Sequence, residues 1–111
     1  MPPLALWLAS PQANDRRILL RASQALTINR LDAVLTGGSS PSVTFSLRHG
    51  ADVSAAGTAV TSDPITVTST TSGTAITSFH TPEIPEGHWL WLEVTAVSGS
   101  PTGLTVVVTF S

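Results

Sequence analysis

The stretch "EGHWLWLEVTA", residues 86–96, has the pattern of a β-strand with two apolar faces. Successive side chains of a strand point to opposite sides of its sheet. One alternating set is aliphatic and is predicted to face a core: Leu90, Leu92, Val94 and Ala96. Trp89 and Trp91 then lie on the opposite face, which in a small sandwich normally contacts solvent. The two tryptophans are therefore the first candidates for a contact surface.

The same two-residue period recurs on both sides of this stretch. It occurs in "SVTFSLRHG" (42–50), "ITVTSTTSG" (65–73) and "GLTVVVTFS" (103–111), which are rich in β-branched residues. The apolar sets predicted to face the core are Val43, Phe45 and Leu47; Ile65 and Val67; and Leu104, Val106, Val108 and Phe110. Gly/Ser/Pro-rich loops separate the strands at 37–41 and 98–103. Six or more short strands without a long helical period predict one all-β domain, an antiparallel β-sandwich or jelly roll.

Residues 14–35, "NDRRILLRASQALTINRLDAVL", fit two interpretations. A helix capped by Asn14 would place Ile18, Leu19, Ala22, Ala25 and Leu26 on one face. Two strands would instead pair Ile18 with Leu20 and continue from Ile28 to Leu35. We favour strands because the remaining sheet needs partners. The predicted organisation is an extended N-terminal arm with the first strand or strands at 1–25, able to dock on a partner, and a sandwich domain at 26–111.

Composition excludes several classes of function. The 111-residue chain has a formal net charge of -2, only 11% charged residues and 30 serines and threonines. All five basic residues are arginines, and the only adjacent pair is Arg16-Arg17, so no basic patch for nucleic acid is present. Without cysteine, neither disulfides nor thiolate-bound metal can form. The apolar opening, residues 1–10, lacks a signal peptide's basic start and is too short to span a bilayer, so we expect an intact protein outside membranes.

No catalytic constellation is present in the acidic residues and histidines. His49 and Asp52 have no third ligand or triad partner at a diagnostic spacing, and a polar turn explains them more simply. Glu83 and Glu86 lie in a Pro/Gly connection with no sign of a substrate cleft. We therefore expect a protein that is not an enzyme, with no catalytic residues, no cofactor and no metal.

An ordered series of short motifs covers residues 28–110. They are a Ser-Pro-Ser-Val-Thr-Phe strand (40–45), an Arg-X-Gly turn (48–50) with Ala-Gly-Thr (56–58), a Thr/Ser-rich middle (67–71) and a strand that begins with Ile-Pro and ends with Trp-Leu-Glu (84–93). In this series the chain resembles small β-sandwich structural proteins of tailed bacteriophage virions. The resemblance implies a capsid decoration (cement), head-fibre or tail-tip role.

The resemblance suggests a homotrimer on the outer capsid surface that binds the major capsid protein and stabilises the head. Large aromatics anchor the centres of protein interfaces, so Trp89 and Trp91 are predicted interface residues, and Trp7, Arg16 and Arg17 are predicted to dock the N-terminal arm. Two alternatives stay open for Trp89 and Trp91. They could stack on sugars in a tail-fibre or adsorption module that binds host glycan, or be covered within the chain by the N-terminal segment, with Trp7 nearby. The absence of tyrosine and the low surface charge favour protein over glycan as the partner.

Overall fold

Two antiparallel sheets pack face to face in the computed structural model, which describes residues 3–61 and 63–111. Across those residues the chain contains no helix, and strands make up 56%. The ten strands are β1 (Leu4–Ala9), β2 (Arg16–Arg21), β3 (Leu26–Thr36), β4 (Ser42–Gly50), β5 (Thr58–Ala59), β6 (Ile65–Val67), β7 (Thr74–Ile76), β8 (Glu83–Ile84), β9 (Trp89–Ser98) and β10 (Gly103–Phe110). The prediction of a single all-β sandwich domain is confirmed.

The strand order is that of a jelly roll. Sheet A has the order β1-β10-β3-β7, with β8 also on β3, and sheet B has β2-β9-β4-β5, with β6 also on β4. The first half of the chain therefore pairs with the second half in reverse: β1 with β10, β2 with β9, β3 with β7 and β8, and β4 with β5 and β6. A two-stranded ribbon of this kind, folded back over itself, makes the two layers of a jelly roll.

The N-terminal segment belongs to this ribbon: the first strands predicted within 1–25 are present as β1 and β2, and they form part of the sandwich. β1 pairs with β10 along its whole length, from Leu4 opposite Val108 to Ala9 opposite Gly103. β2 pairs in the same way with β9. Folding the ribbon keeps its outer strands together, so β1 and β2 form the edges of the two sheets on the same side of the sandwich. Residues 1–2 of the predicted arm lie outside the described residues.

The strand interpretation of residues 14–35 is confirmed, and the helix is excluded. Asn14 has a φ of +73° instead of a capping conformation, and its N–H donates to the carbonyl oxygen of Val94 at 2.8 Å. The predicted pairing of Ile18 and Leu20 on one face is wrong, because a β-bulge separates them. Ile18 lies opposite Trp91 and Leu20 opposite Leu90, so Leu19 is the extra residue. Ile18 consequently points outward and is 47% exposed.

The core lies between the sheets and contains the alternating sets that the sequence predicts. Leu90, Leu92 and Val94 are buried there with every predicted residue of the other three strands. Ala96 is the exception. A second bulge at Thr95 shifts the register, so Ala96 is exposed and Val97 packs against the core in its place. A bulge adds one residue to one strand and so reverses which side chains face inward.

Candidate interaction surfaces

Trp91 lies on the outer face of sheet B but is fully buried within the chain. Its ring is covered by Gly50 at the end of β4 and by Gly57 in the loop that follows, and the Cα hydrogens of both glycines face it. A Cβ at Gly57 would lie 2.6 Å from Trp91 Cζ2, and φ there is +72°, so only glycine fits without strain. The guanidinium of Arg16 covers the ring from β2, at 4.7 Å from the ring centroid. The predicted intersubunit contact through Trp91 is therefore wrong for the folded chain.

Glu93 connects this cover to the sheet. Its carboxylate accepts a hydrogen bond from Trp91 Nε1 at 2.9 Å. The same carboxylate faces Arg16 Nε at 3.5 Å and Arg48 Nε at 3.6 Å. Arg48 in turn donates to the carbonyl oxygen of Ala56 in the covering loop, at 3.3 Å. In this cluster, Arg16–Arg48–Trp91–Glu93, two guanidinium groups share one carboxylate, which also accepts the indole N–H.

Trp89 is half-buried on the same face, next to Trp91 at the start of β9. The guanidinium of Arg21 lies 5.7 Å from its ring centroid, and Arg21 Nε donates to the carbonyl oxygen of Gly87 at 3.4 Å. One side of the ring is therefore occupied by a residue of the chain itself. Trp89 keeps some exposed surface, but it is not adjacent to Trp7, which belongs to the other sheet.

Arg17 lies on the edge strand β2, opposite Leu92 of the core. The register places it on the side of the strand that faces the other sheet, yet the side chain is exposed. A charged residue in this position opposes edge-to-edge pairing of strands. Arg17 is thus placed to protect an edge, whereas Arg16 covers Trp91.

Trp7 is the most exposed large apolar residue that the structure describes, at 57%. It projects from β1 onto the outer face of sheet A, and its indole crosses Gly103 of β10. A Cβ at Gly103 would lie 2.5 Å from Trp7 Nε1, so the absence of a side chain there lets the ring lie flat against the sheet. The ring is therefore held by the sheet on one side and open to solvent on the other.

The neighbours of Trp7 on this face form a surface with little charge, which we call the Trp7 face. A shallow groove of about 110 Å³ continues it, lined in part by Val34, Thr105 and Val107. The charges nearby, Arg30 and Asp32, form an ion pair at 2.9 Å and so neutralise each other. The Trp7 face consists of Ala5, Trp7, Val34, Thr105 and Val107.

Two histidines, missed by the sequence analysis as a pair, meet inside the sandwich. His49 is buried on β4 and its Nδ1 lies 3.1 Å from Nδ1 of His88, while its Nε2 has no partner among the described residues. Burial and, to a smaller extent, the neighbouring His88 lower the pKa of His49. The polar-turn interpretation is wrong for His49 and right for Asp52, whose carboxylate accepts hydrogen bonds from the hydroxyl and the N–H of Ser54. These bonds lower the pKa of Asp52.

The chemistry available elsewhere is limited. A cleft of about 450 Å³ between the loops around Ser10 and Gly99 is lined by no titratable side chain. Among residues 3–61 and 63–111, no three His, Asp or Glu side chains are grouped so as to hold a metal ion. Within the same ranges, no helix has the length and apolar character needed to cross a membrane.

Comparison of the chain with protein-family models, with curated proteins and with solved structures finds no match. The fold and the surfaces described above therefore carry the functional conclusion. They separate the predicted contact residues into two groups. Trp7 lies on sheet A and is exposed, while Arg16, Arg17, Trp89 and Trp91 lie on sheet B, where Trp91 is buried and Trp89 half-buried.

Proposed function

We propose that this protein is a non-enzymatic structural component of a tailed-bacteriophage virion, which binds the major capsid protein and decorates the outer surface of the head. The Trp7 face is the observation that carries the proposal. A solvent-exposed tryptophan on a rigid sheet, beside a groove and almost without net charge, has the composition of an interface centre. The motif series over residues 28–110 supports the viral class, and jelly rolls are a common architecture of capsid domains.

The shape of this surface favours a protein partner. The Trp7 face is broad and shallow, and its groove of about 110 Å³ is below the few hundred Å³ usual for small-ligand pockets. Burial of apolar area on such a face contributes roughly 25 cal/mol per Å² before ordering costs. Many copies on one particle surface would each need only modest affinity.

The test uses particles that lack this protein, incubated with the purified protein and separated by sedimentation. We expect saturable binding with many copies per head, counted by quantitative mass spectrometry. Trp7→Ala should weaken this binding by at least about tenfold, as expected for an interface anchor. Ile18→Ala is the matched control, because Ile18 is 47% exposed but lies on the other sheet, and it should bind like the wild type.

The alternative is a tail-fibre or adsorption module that binds host glycan. The open side of the Trp7 ring, on a residue paired with Thr105 across the strands, is the observation that favours it, since sugars stack on such rings. It predicts few copies per virion, located at the tail, and binding of purified host polysaccharide that Trp7→Ala abolishes. That result, with no binding to heads, would replace capsid decoration. The homotrimer stays a prediction, which light scattering of the isolated protein tests.

A further inference from the structure

β1 is a long strand edge that the chain leaves unpaired. Among the described residues it pairs only with β10, and its other side is the margin of sheet A. Ser10 N–H donates to the carbonyl oxygen of Thr102 at 2.9 Å in continuation of the β1–β10 register. In an antiparallel ladder these bonds alternate, so the even residues of β1 bond to β10. The N–H and C=O groups of Ala5, Trp7 and Ala9 therefore point away from the sheet.

The other sheet margins are protected in ways that β1 is not. β5, β6 and β7 are two or three residues long, which is too short to template a partner strand. β2 has six residues but the sequence RRILLR, and antiparallel pairing of two copies would bring arginines together. β1 has the sequence LALWLA, without charge or proline. Neither charge nor short length protects β1 from pairing with another strand.

The sequence of β1 is also symmetric about Trp7. Residues 5–9 are Ala-Leu-Trp-Leu-Ala, a palindrome. If two copies pair antiparallel with Trp7 opposite Trp7, then Ala5 lies opposite Ala9 and Leu6 opposite Leu8. In this register the outward-pointing backbone groups of both copies face each other, and the same side of each sheet stays outward. Small alanines flank each tryptophan on the outer face and leave room for the ring of the other copy.

We infer that β1 pairs with β1 of a second copy of this chain, in the register that places Trp7 opposite Trp7 about a two-fold axis. Three hydrogen-bonded residue pairs exchange two bonds each, so the contact forms about six backbone hydrogen bonds. Sheet A becomes continuous across the two copies, with both tryptophans at its centre. This is strand addition of the kind that peptides use at exposed sheet edges.

The inference concerns the isolated chain and is independent of the proposed function. A contact of one strand pair and two rings lies at the small end of interface sizes, below about 1,200 Å², so the dimer is reversible. It predicts a two-fold assembly, whereas the resemblance to phage proteins predicts a homotrimer. It also joins two Trp7 faces into one larger surface.

Sedimentation velocity over a micromolar concentration series tests the pairing. The wild type should shift from monomer to dimer as concentration rises. Ala5→Pro removes one outward N–H without removing a bond to β10, so it should preserve the circular dichroism spectrum and weaken the dimer by at least about tenfold. A wild type that stays monomeric throughout the series, or a trimer that Ala5→Pro leaves intact, overturns the inference.

A pair of double variants tests the register. Ala5→Lys/Ala9→Lys places lysine opposite lysine at both ends of the contact and should give a monomer. Ala5→Glu/Ala9→Lys places glutamate opposite lysine at the same two positions and should dimerise at least as well as the wild type, because opposite charges across strands attract. The two variants alter the same residues to the same degree. Equal dimerisation by both would show that residues 5 and 9 do not face each other, which contradicts the inference.

Discussion

Replacing Trp91 by alanine tests whether this side chain is a structural element instead of a contact residue. A tryptophan buries about 150–250 Å², which corresponds to roughly 4–6 kcal/mol at 25 cal/mol per Å². Trp91 is fully buried, but its cover is a loop and an arginine that can partly collapse into the space. We therefore expect a loss near the lower end of the measured range for such truncations, about 3 kcal/mol.

The measurement is urea denaturation followed by far-ultraviolet circular dichroism, since tryptophan fluorescence changes with the substitution itself. With an m value of about 1.5–2 kcal/mol per M, the midpoint should fall by roughly 1.5–2 M. Trp89→Ala is the matched control, because Trp89 is half-buried on the same strand and the same face, and its loss should be about 1 kcal/mol.

Trp91→Phe separates packing from hydrogen bonding. It keeps an aromatic ring against Gly57 but removes the indole N–H that donates to Glu93, so we expect a loss of about 1–2 kcal/mol. Should Trp91→Ala prove no more destabilising than Trp89→Ala, the burial of Trp91 would not be a source of stability, and the reasoning would fail.

Three further outcomes are expected. Gly57→Ala should cost at least about 2 kcal/mol of stability, because a positive φ is combined there with a contact at 2.6 Å. Gly87→Ala is the control: φ is +85°, but the nearest atom is 3.9 Å away, so the cost should be only about 1 kcal/mol. The urea midpoints of the two variants compare these costs. Glu93→Gln should lose at most about 1 kcal/mol of stability, because its ion pairs are partly exposed. The loss should be smaller at high salt, which denaturation at two ionic strengths can check. The lowered pKa of His49 means that the unfolded chain binds a proton more readily than the folded chain. The free energy of unfolding therefore has its full value above about pH 6.5. Below that pH it declines toward the folded pKa, by up to about 1.4 kcal/mol per pH unit. His49→Gln should flatten that pH dependence of the melting temperature, and an unchanged slope would contradict the assignment.

The alternation of side chains was enough to predict the sandwich and most of its core. The apolar sets around Phe45, Val67, Leu92 and Val106 each have a period of two, which indicates a strand with one face buried in a core. The wrong predictions for Ile18 and Ala96 both result from a β-bulge. A bulge is decided by pairing with a distant strand, so the local pattern does not indicate it.

The contact surface was predicted less well, for a related reason. Trp89 and Trp91 were correctly assigned to the outer face, but contact with a partner was preferred to the open alternative that the chain itself covers them. Whether an outward-pointing ring is covered depends on the positions of a loop and of an arginine from another strand. Tertiary structure fixes both positions. The glycines of "RHGADVSAAGT" were the available signal, since residues without side chains at 50 and 57 can approach an indole closely.

The sequence by itself determined that this protein is all-β, which residues of four strands form the core, and that its surface carries little charge. Local periodicity and composition suffice for these properties, because each depends on which residue types alternate. Only the tertiary structure decided that β1 and β2 belong to the sandwich, that Trp91 is buried, and that Trp7 is the exposed aromatic residue. In a jelly roll the first strand pairs with the last, and contacts across the whole chain length leave no trace in a local pattern.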